Sequence, residues 1–217
     1  MSIEWLVIRG SGLAAFGLLA LASVWGLFLS TGILGRAVKA KSLNWFHESL
    51  SIGALLATII HMVALANHDY VEFGLKDLLV PGSSTFEPVA VAWGIMAFYA
   101  LFIITASFYV KKWIGQSTWR VLHFLAFGTF LAALLHGIVA GTDSGNPYVV
   151  VGYAVTVVLV VFLTVVRWLQ AAAPPERKRA PRPKPAARPS PEPAKDAAAA
   201  ASAETSAGAR GEDQAVA

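Results

Sequence analysis

The sequence contains no cysteine, and only 14% of its 217 residues are charged. Without cysteine the chain can form no disulfide, bind no metal through a thiolate and hold no cysteine-ligated iron–sulfur cluster. The redox state of the compartment therefore cannot be inferred from cysteine usage. A soluble domain carries about a quarter charged residues. Here 56% of the residues are hydrophobic and the mean hydropathy is +0.61. This composition is typical of a membrane protein with a polar appendage.

Five stretches of the sequence lack charged residues. They lie between Arg9 and Arg36 and over 49–67, 88–110, 121–142 and 147–166. Each has about 18 residues or more, enough for a helix to cross a hydrocarbon layer of roughly 30 Å. Since lipid offers the backbone no hydrogen-bond partners, the sequence predicts an all-α polytopic membrane bundle of five transmembrane helices. The first stretch lacks the basic start and the clear cleavage site of a signal peptide, so we expect it to be a permanent helix.

The connecting loops alternate in charge. Lysines and arginines occur in 35–41, in 111–120 and after the fifth stretch, whereas 67–88 is net acidic and 141–147 carries an aspartate. Because positively charged loops stay in the cytoplasm, the pattern predicts an external N-terminus, a cytoplasmic C-terminus and second and fourth helices that run outward across the plasma membrane. Arg9, on the outer side, departs from this pattern.

Residues 171–217 differ in composition from the rest of the chain. They are rich in alanine and proline, with basic residues first and serine and glutamate later. Such a segment cannot bury enough apolar surface to offset its chain entropy. We therefore predict a transmembrane domain over 1–170 and a disordered cytoplasmic tail over 171–217. The basic first half of the tail is either a solvated flank or a segment that lies on anionic lipid.

Four of the five histidines fall in two of the predicted helices. His47 and His61 are fourteen residues apart in the second helix, and His123 and His136 are thirteen apart in the fourth. Each separation corresponds to about 20 Å of helix rise, so each helix carries one histidine near each membrane face. Because both helices run outward, we expect His47 at the level of His123, and His61 at the level of His136.

The two helices are also alike in a second respect. Aligned on their outward histidines, each has a glycine eight residues earlier, Gly53 and Gly128, which indicates that both face a common object. Their helical phases differ, however. At about 100° per residue, fourteen residues return to within about 40° of the starting face, whereas thirteen miss it by about 140°. We therefore expect the fourth helix to twist, bend or contain a local irregularity.

Facing imidazoles inside a membrane have several interpretations. Haem iron takes one axial nitrogen from each side, and the flat macrocycle fills the space between helices. A zinc site needs more ligands at one level, and the nearest carboxylate, Glu48, adjoins His47 and points to a different face. A proton relay would use Asp or Glu inside the membrane, and the charge-free stretches contain neither. The residues favour haem, and the alternative is a non-redox helical scaffold or transporter whose histidines only form hydrogen bonds.

Several further residues lie close to the membrane faces. We expect His68, beyond the outer end of the second helix, to be a wet interfacial side chain and not a third ligand. Arg9, Lys112 and Arg120 lie where haem propionates would emerge, although snorkelling to water explains them more simply. Four tryptophans are expected to be interfacial anchors: Trp5, Trp45, Trp113 and Trp119.

The paired histidines resemble those of the ferric reductase-like transmembrane domain, the membrane half of ferric reductases, of NADPH oxidases and of the haem subunit of the bacterial methionine sulfoxide reductase system. "WRVLHFLAFGTFLAALLHG" is similar to that family's fourth-helix pattern, and "LLVPGSSTFEPVAVAWG" and "GTDSG" are similar to its outer loops. The resemblance covers about residues 5–170. It implies two haem b groups with histidines as axial iron ligands, and no catalytic side chain. His47 and His123 would bind the inner haem, and His61 and His136 the outer one.

The sequence departs from the larger family members after Arg167. About fifty residues follow, without a G-x-G-x-x-G element, so we expect no flavin or nicotinamide domain in this chain. The resemblance thus implies a membrane cytochrome b, an oxidoreductase component that carries electrons from a cytoplasmic donor to an external acceptor. The donor would be a separate flavoprotein or a membrane quinol. The expected partners are membrane lipid, this donor and the acceptor, with no nucleic acid.

Overall fold

A computed structural model describes residues 3–32, 40–68 and 73–173. This part of the chain consists of helices, turns and loops, without strands. The helices are α1 (Ile3–Thr31), α2 (Ala40–Ala66), α3 (Leu75–Leu79), α4 (Pro88–Tyr109), α5 (Lys111–Ile114), α6 (Gln116–Val139) and α7 (Pro147–Ala172). Five of them, α1, α2, α4, α6 and α7, are long and apolar enough to cross a membrane. The predicted all-α bundle with five transmembrane helices is confirmed.

Helix ends follow from local sequence. α1 is followed by Gly32 at φ +67°, a left-handed conformation that glycine adopts without steric cost. α7 begins with a proline, and the side chain of Asn146 caps it by accepting a hydrogen bond from the Tyr148 amide at 3.0 Å. Gly115, at φ +83°, separates the short α5 from α6. Gly115 and Asn146 thus mark turns between charge-free stretches, and Gly32 ends α1 near the end of the first stretch.

Much of the bundle surface is apolar. Large side chains point away from the protein on every long helix, and their exposed fractions include 55% for Leu56, 52% for Phe102, 72% for Phe124 and 60% for Phe162. A soluble protein does not leave so large a continuous apolar surface in water. These side chains are therefore the lipid-facing surface of a multi-pass membrane protein.

The long helices form two hairpins. α1 packs along α2, α4 packs along α6, and α7 packs against α1. α1 also meets α6, and α2 meets α4, which joins the hairpins. Within the described residues, α2 and α6 are not closely packed on each other. The two histidine-bearing helices therefore lie on either side of a gap.

The middle of the bundle is filled by apolar side chains. Ala54, halfway between the two histidines of α2, is fully buried and clusters with Leu19 of α1 and Leu101 of α4. A second cluster joins α1, α6 and α7 through Ala20, Leu27, Phe130, Leu134, Val160 and Leu163. The first cluster separates the two histidine levels with a dry layer.

Some predictions fall on residues outside the described ranges. These include most of the basic loop at 35–41, residues 69–72 of the acidic loop and the tail from residue 174 onward. The transmembrane unit comprises Met1–Ala173, and its last helix ends at Ala172, two residues past the predicted boundary.

Candidate functional site

Two pairs of histidines lie between the hairpins. The ring centres of His47 on α2 and His123 on α6 are 6.0 Å apart. Near the opposite ends of the same helices, His61 and His136 line one cavity. We refer to these as the 47/123 pair and the 61/136 pair. All four side chains are half-buried. The structure thus brings together the residues that the spacing predicts at each level.

The ring of His61 lies directly on α1 at Gly12. A Cβ atom at Gly12 would be 3.0 Å from Cε1 of His61 and 3.1 Å from its Nδ1. The imidazole Nδ1 lies 2.9 Å from the carbonyl oxygen of Ile8, four residues before this glycine. Because a carbonyl oxygen can only accept, Nδ1 carries the proton and donates this bond.

His136 repeats this arrangement on the other hairpin. A Cβ atom at Gly94 of α4 would be 2.8 Å from Nδ1 of His136. The same Nδ1 donates to the carbonyl oxygen of Ala90 at 2.9 Å, again four residues before the glycine. In the neutral form both imidazoles of the 61/136 pair therefore have a protonated Nδ1 and an Nε2 lone pair that is available to a metal. Metal-binding histidines commonly have such a backbone acceptor on their second nitrogen.

His47 shows part of the same pattern. Its ring lies on α1 at Gly26, where a Cβ atom would be 3.1 Å from Cε1. Its Nδ1 is buried and makes no hydrogen bond within the described part of the protein. The carbonyl of Ala22, four residues before Gly26, lies near the ring without reaching hydrogen-bond geometry. The spacing of fourteen residues between Gly12 and Gly26 equals the spacing between the histidines of α2.

His123 is supported by aromatic and basic side chains. Its ring stacks on Trp119, one helical turn earlier, with centres 4.9 Å apart and planes inclined by 20°. The Nζ atom of Lys111 lies 4.0 Å from the centre of the Trp119 ring, a cation–π contact. Trp119 was expected to be an interfacial anchor. It also contacts His123, because the helical spacing of four residues places both side chains on the same face of α6.

The cavity at the 61/136 pair has a volume of about 330 Å³. Most of its wall is apolar, and its polar groups include the two imidazoles and the side chains of Arg9, Asp143 and Tyr153. Arg9 Nε donates to Asp143 Oδ2 at 2.8 Å, and a second guanidinium nitrogen contacts Oδ1 of the same carboxylate. The two side chains are 29% and 13% exposed. This ion pair joins α1 to the loop before α7 beside the cavity and offsets the charge of Arg9.

We expect Arg9→Gln and Asp143→Asn each to lower the thermal unfolding midpoint in detergent. Either change removes the ion pair between these two half-buried side chains. The double variant should be no less stable than the worse single variant, because the second substitution removes no further contact of this pair. A melting series of the four proteins at low and high salt measures the coupling. Strictly additive effects of the two substitutions would contradict a direct interaction.

Two other predicted side chains have distinct surroundings. His68 lies against Trp5, with ring centres 5.6 Å apart, and is not among the residues that line the cavity of the 61/136 pair. Glu48 accepts a hydrogen bond from the Tyr109 hydroxyl of α4 at 2.8 Å, so it points to a different neighbour than His47 does. Within residues 3–32, 40–68 and 73–173, no three histidine or acidic side chains converge as a metal-binding group. A site with three or four protein ligands is therefore not formed by the described residues.

The expected irregularity in the fourth transmembrane helix is not observed as a change of helix type. α6 is α-helical at every residue from Gln116 to Val139. The difference in direction is instead accommodated by separate neighbours, because His123 faces α2 while His136 reaches the α4 backbone. The paired glycines Gly53 and Gly128 also differ. A Cβ atom at Gly53 would lie 3.4 Å from Leu18, whereas one at Gly128 would meet no atom within 4 Å.

The donor residues present fit haem: each level offers two imidazoles from different helices, and the 61/136 level also has an apolar cavity. Two metal–imidazole bonds of about 2 Å, with roughly 1 Å more from each nitrogen to its ring centre, put two axial imidazoles about 6 Å apart. The 6.0 Å between the ring centres of the 47/123 pair matches this separation. At the 61/136 pair, the hydrogen bonds leave both Nε2 atoms free, and the cavity supplies apolar walls. The glycines remove side-chain volume where the rings meet the helices.

Comparison with known proteins adds no family assignment. No family model matches the chain, and no curated protein or solved structure matches it either.

Proposed function

We propose that this protein is a membrane cytochrome b that carries electrons across the bilayer through two bis-histidine haems. The observation that carries the proposal is the orientation of the 61/136 pair. Two imidazoles from different helices border one apolar cavity, and each has its Nδ1–H bonded to a backbone carbonyl. Side chains that only tied helices together would need no shared cavity. Ligands of a metal group need a cavity that holds the group and a hydrogen bond that orients each imidazole.

The protein's own residues would hold, orient and insulate the two groups. Haem iron, when bound, supplies reversible one-electron chemistry. His47 and His123 would hold one haem, and His61 and His136 the other. Between them, the buried layer around Ala54 excludes water and therefore ions, so charge would cross this level as electrons.

The proposed direction of transfer depends on orientation. Basic side chains lie mostly at the helix ends near the 47/123 pair: Lys41, Lys111, Lys112, Arg120 and Arg167. Asp77, Glu87 and Asp143 lie at the opposite helix ends. By the positive-inside rule, the 47/123 pair is cytoplasmic and the 61/136 pair external in the plasma membrane. A ferric reductase-like function follows: His47 and His123 would hold the group that takes electrons from a separate flavoprotein or a quinol, and His61 and His136 the group that passes them to an external acceptor.

We expect the purified protein to contain two haem b groups per chain. Pyridine haemochrome absorbance, measured against protein concentration from amino-acid analysis, should approach a ratio of two. A ratio of one would restrict the proposal to a single pair. A ratio near zero after expression with excess haem precursor would overturn it in favour of the non-redox scaffold.

We expect the two termini to lie on opposite sides of the membrane, because five helices cross it. Protease added to intact cells should leave a C-terminal tag uncut, and disruption of the cells should make it accessible. An N-terminal tag should be cut in both preparations. Cleavage of the C-terminal tag in intact cells would reverse the proposed orientation and the direction of electron flow.

A further inference from the structure

We propose that Gly12 and Gly94 are positioning residues that set the protonation and aim of His61 and His136. This inference rests on the proposed haem function, and it concerns how the ligands are made ready. Each glycine lets an imidazole lie against the backbone of a neighbouring helix. The backbone carbonyl reached in that position fixes the proton on Nδ1 and leaves Nε2 as the ligand.

The steric part of the argument concerns the missing Cβ atoms. At Gly94 a Cβ would be 2.8 Å from Nδ1 of His136, closer than real Cβ contacts allow, and at Gly12 it would be 3.0 Å from the His61 ring. Cα–Cβ bonds in a helix tilt toward the N-terminus, so a side chain covers the turn before it. An alanine at either position would therefore cover the carbonyl that the imidazole reaches.

The hydrogen-bonding part of the argument is the repeated register. His61 donates to the residue four before Gly12, and His136 donates to the residue four before Gly94. A carbonyl oxygen has two lone pairs, so it can accept from the imidazole while it remains in the helix ladder. The same relation on two separate hairpins, with different sequences around it, indicates a common requirement for a bare helix surface beside each ring.

The chain provides two control glycines, one on the helix of Gly12 and one on the helix that carries His136. Gly17 lies on α1 and Gly128 on α6, and a Cβ at either would meet no atom within 4 Å. Gly17→Ala and Gly128→Ala thus make the same chemical change without touching a histidine. Gly12→Ala and Gly94→Ala should differ from them if the glycines act through the imidazoles.

The first test measures midpoint potentials of the haem-loaded, full-length protein. A hydrogen bond from Nδ1 makes the ligand more basic and stabilises ferric iron. Gly94→Ala, and to a smaller extent Gly12→Ala, should therefore raise the potential of one haem, or lose that haem, while the other haem keeps its potential. The controls should leave both potentials unchanged. Unchanged potentials in all four variants, with two haems retained, would overturn the positioning role.

The second test uses nitrogen-15 NMR of labelled histidines in haem-free protein in detergent micelles. His61 and His136 should each show a protonated Nδ1 and an unprotonated Nε2. In Gly94→Ala the His136 signals should move to the shifts of an exchanging imidazole, while those of His61 remain. Retention of the original His136 signals in that variant would overturn the inference. If these signals behave as expected but the wild-type protein binds no haem, the positioning role is supported and the proposed electron-transfer function fails.

Discussion

Replacing His61 or His136 with alanine should lower the haem content from two groups per chain to one. Either change removes one of two axial nitrogens from the same iron, and the remaining imidazole belongs to the opposite hairpin. The 47/123 pair is about 20 Å away along the helices, so its haem should remain bound and still accept electrons from a cytoplasmic donor. Transfer to an external acceptor should be lost.

The fifth histidine gives the matched control for this experiment. His68 lies against Trp5 and belongs to neither pair, so His68→Ala should retain two haems and normal transfer. Haem content has to be measured beside activity, since loss of a cofactor can destabilise the whole bundle. If His61→Ala and His136→Ala both kept two haems with wild-type spectra, these side chains would not be the ligands.

Replacing His47 or His123 should affect the other haem. We expect loss of the haem at that level, retention of the haem at the 61/136 pair, and no reduction of the retained haem by a cytoplasmic donor. A small reductant such as dithionite, added to permeabilised vesicles, should still reduce it. Reduction by dithionite but not by the cytoplasmic donor would show that the protein is folded and that only electron entry from the cytoplasm is interrupted.

Two substitutions of Trp119 test the 47/123 pair without removing a histidine. Trp119→Phe keeps an aromatic ring near His123, so it should keep both haems. Trp119→Ala removes the stacking surface and should weaken haem retention at the 47/123 pair. Equal haem content in His47→Ala, His123→Ala and the wild type would contradict the assignment of this pair.

The helices were predictable because lipid imposes a simple rule on sequence. A spanning helix needs about twenty apolar residues, and the charge-free stretches met that length five times. α6 nevertheless begins at Gln116, before its charge-free stretch, because polar residues at a membrane face continue a helix readily. The short α3 and α5 were not predicted, since they lie in loops and lack an apolar stretch.

The candidate site was predictable only in part. Level pairing of the histidines follows from their spacing and from the direction of the helices. Their contacts with Gly12, Gly26 and Gly94 depend on which helix packs beside which, and sequence periodicity does not contain that information. One signal was available: Gly12 and Gly26 repeat the fourteen-residue spacing of α2. The Arg9–Asp143 pair joins residues 134 positions apart, so neither side chain indicated the other.

Each imidazole is braced within its own hairpin. α1 supports both histidines of α2, α4 supports His136, and Trp119 supports His123 from within α6. Rotational freedom of these rings is thus lost while the hairpins form, before any cofactor binds. Binding a cofactor to imidazoles that are already ordered costs less side-chain entropy than binding it to four mobile side chains. The cofactor would therefore bind more tightly. Under the proposed function, each haem would therefore join two hairpins whose imidazoles are already held in place.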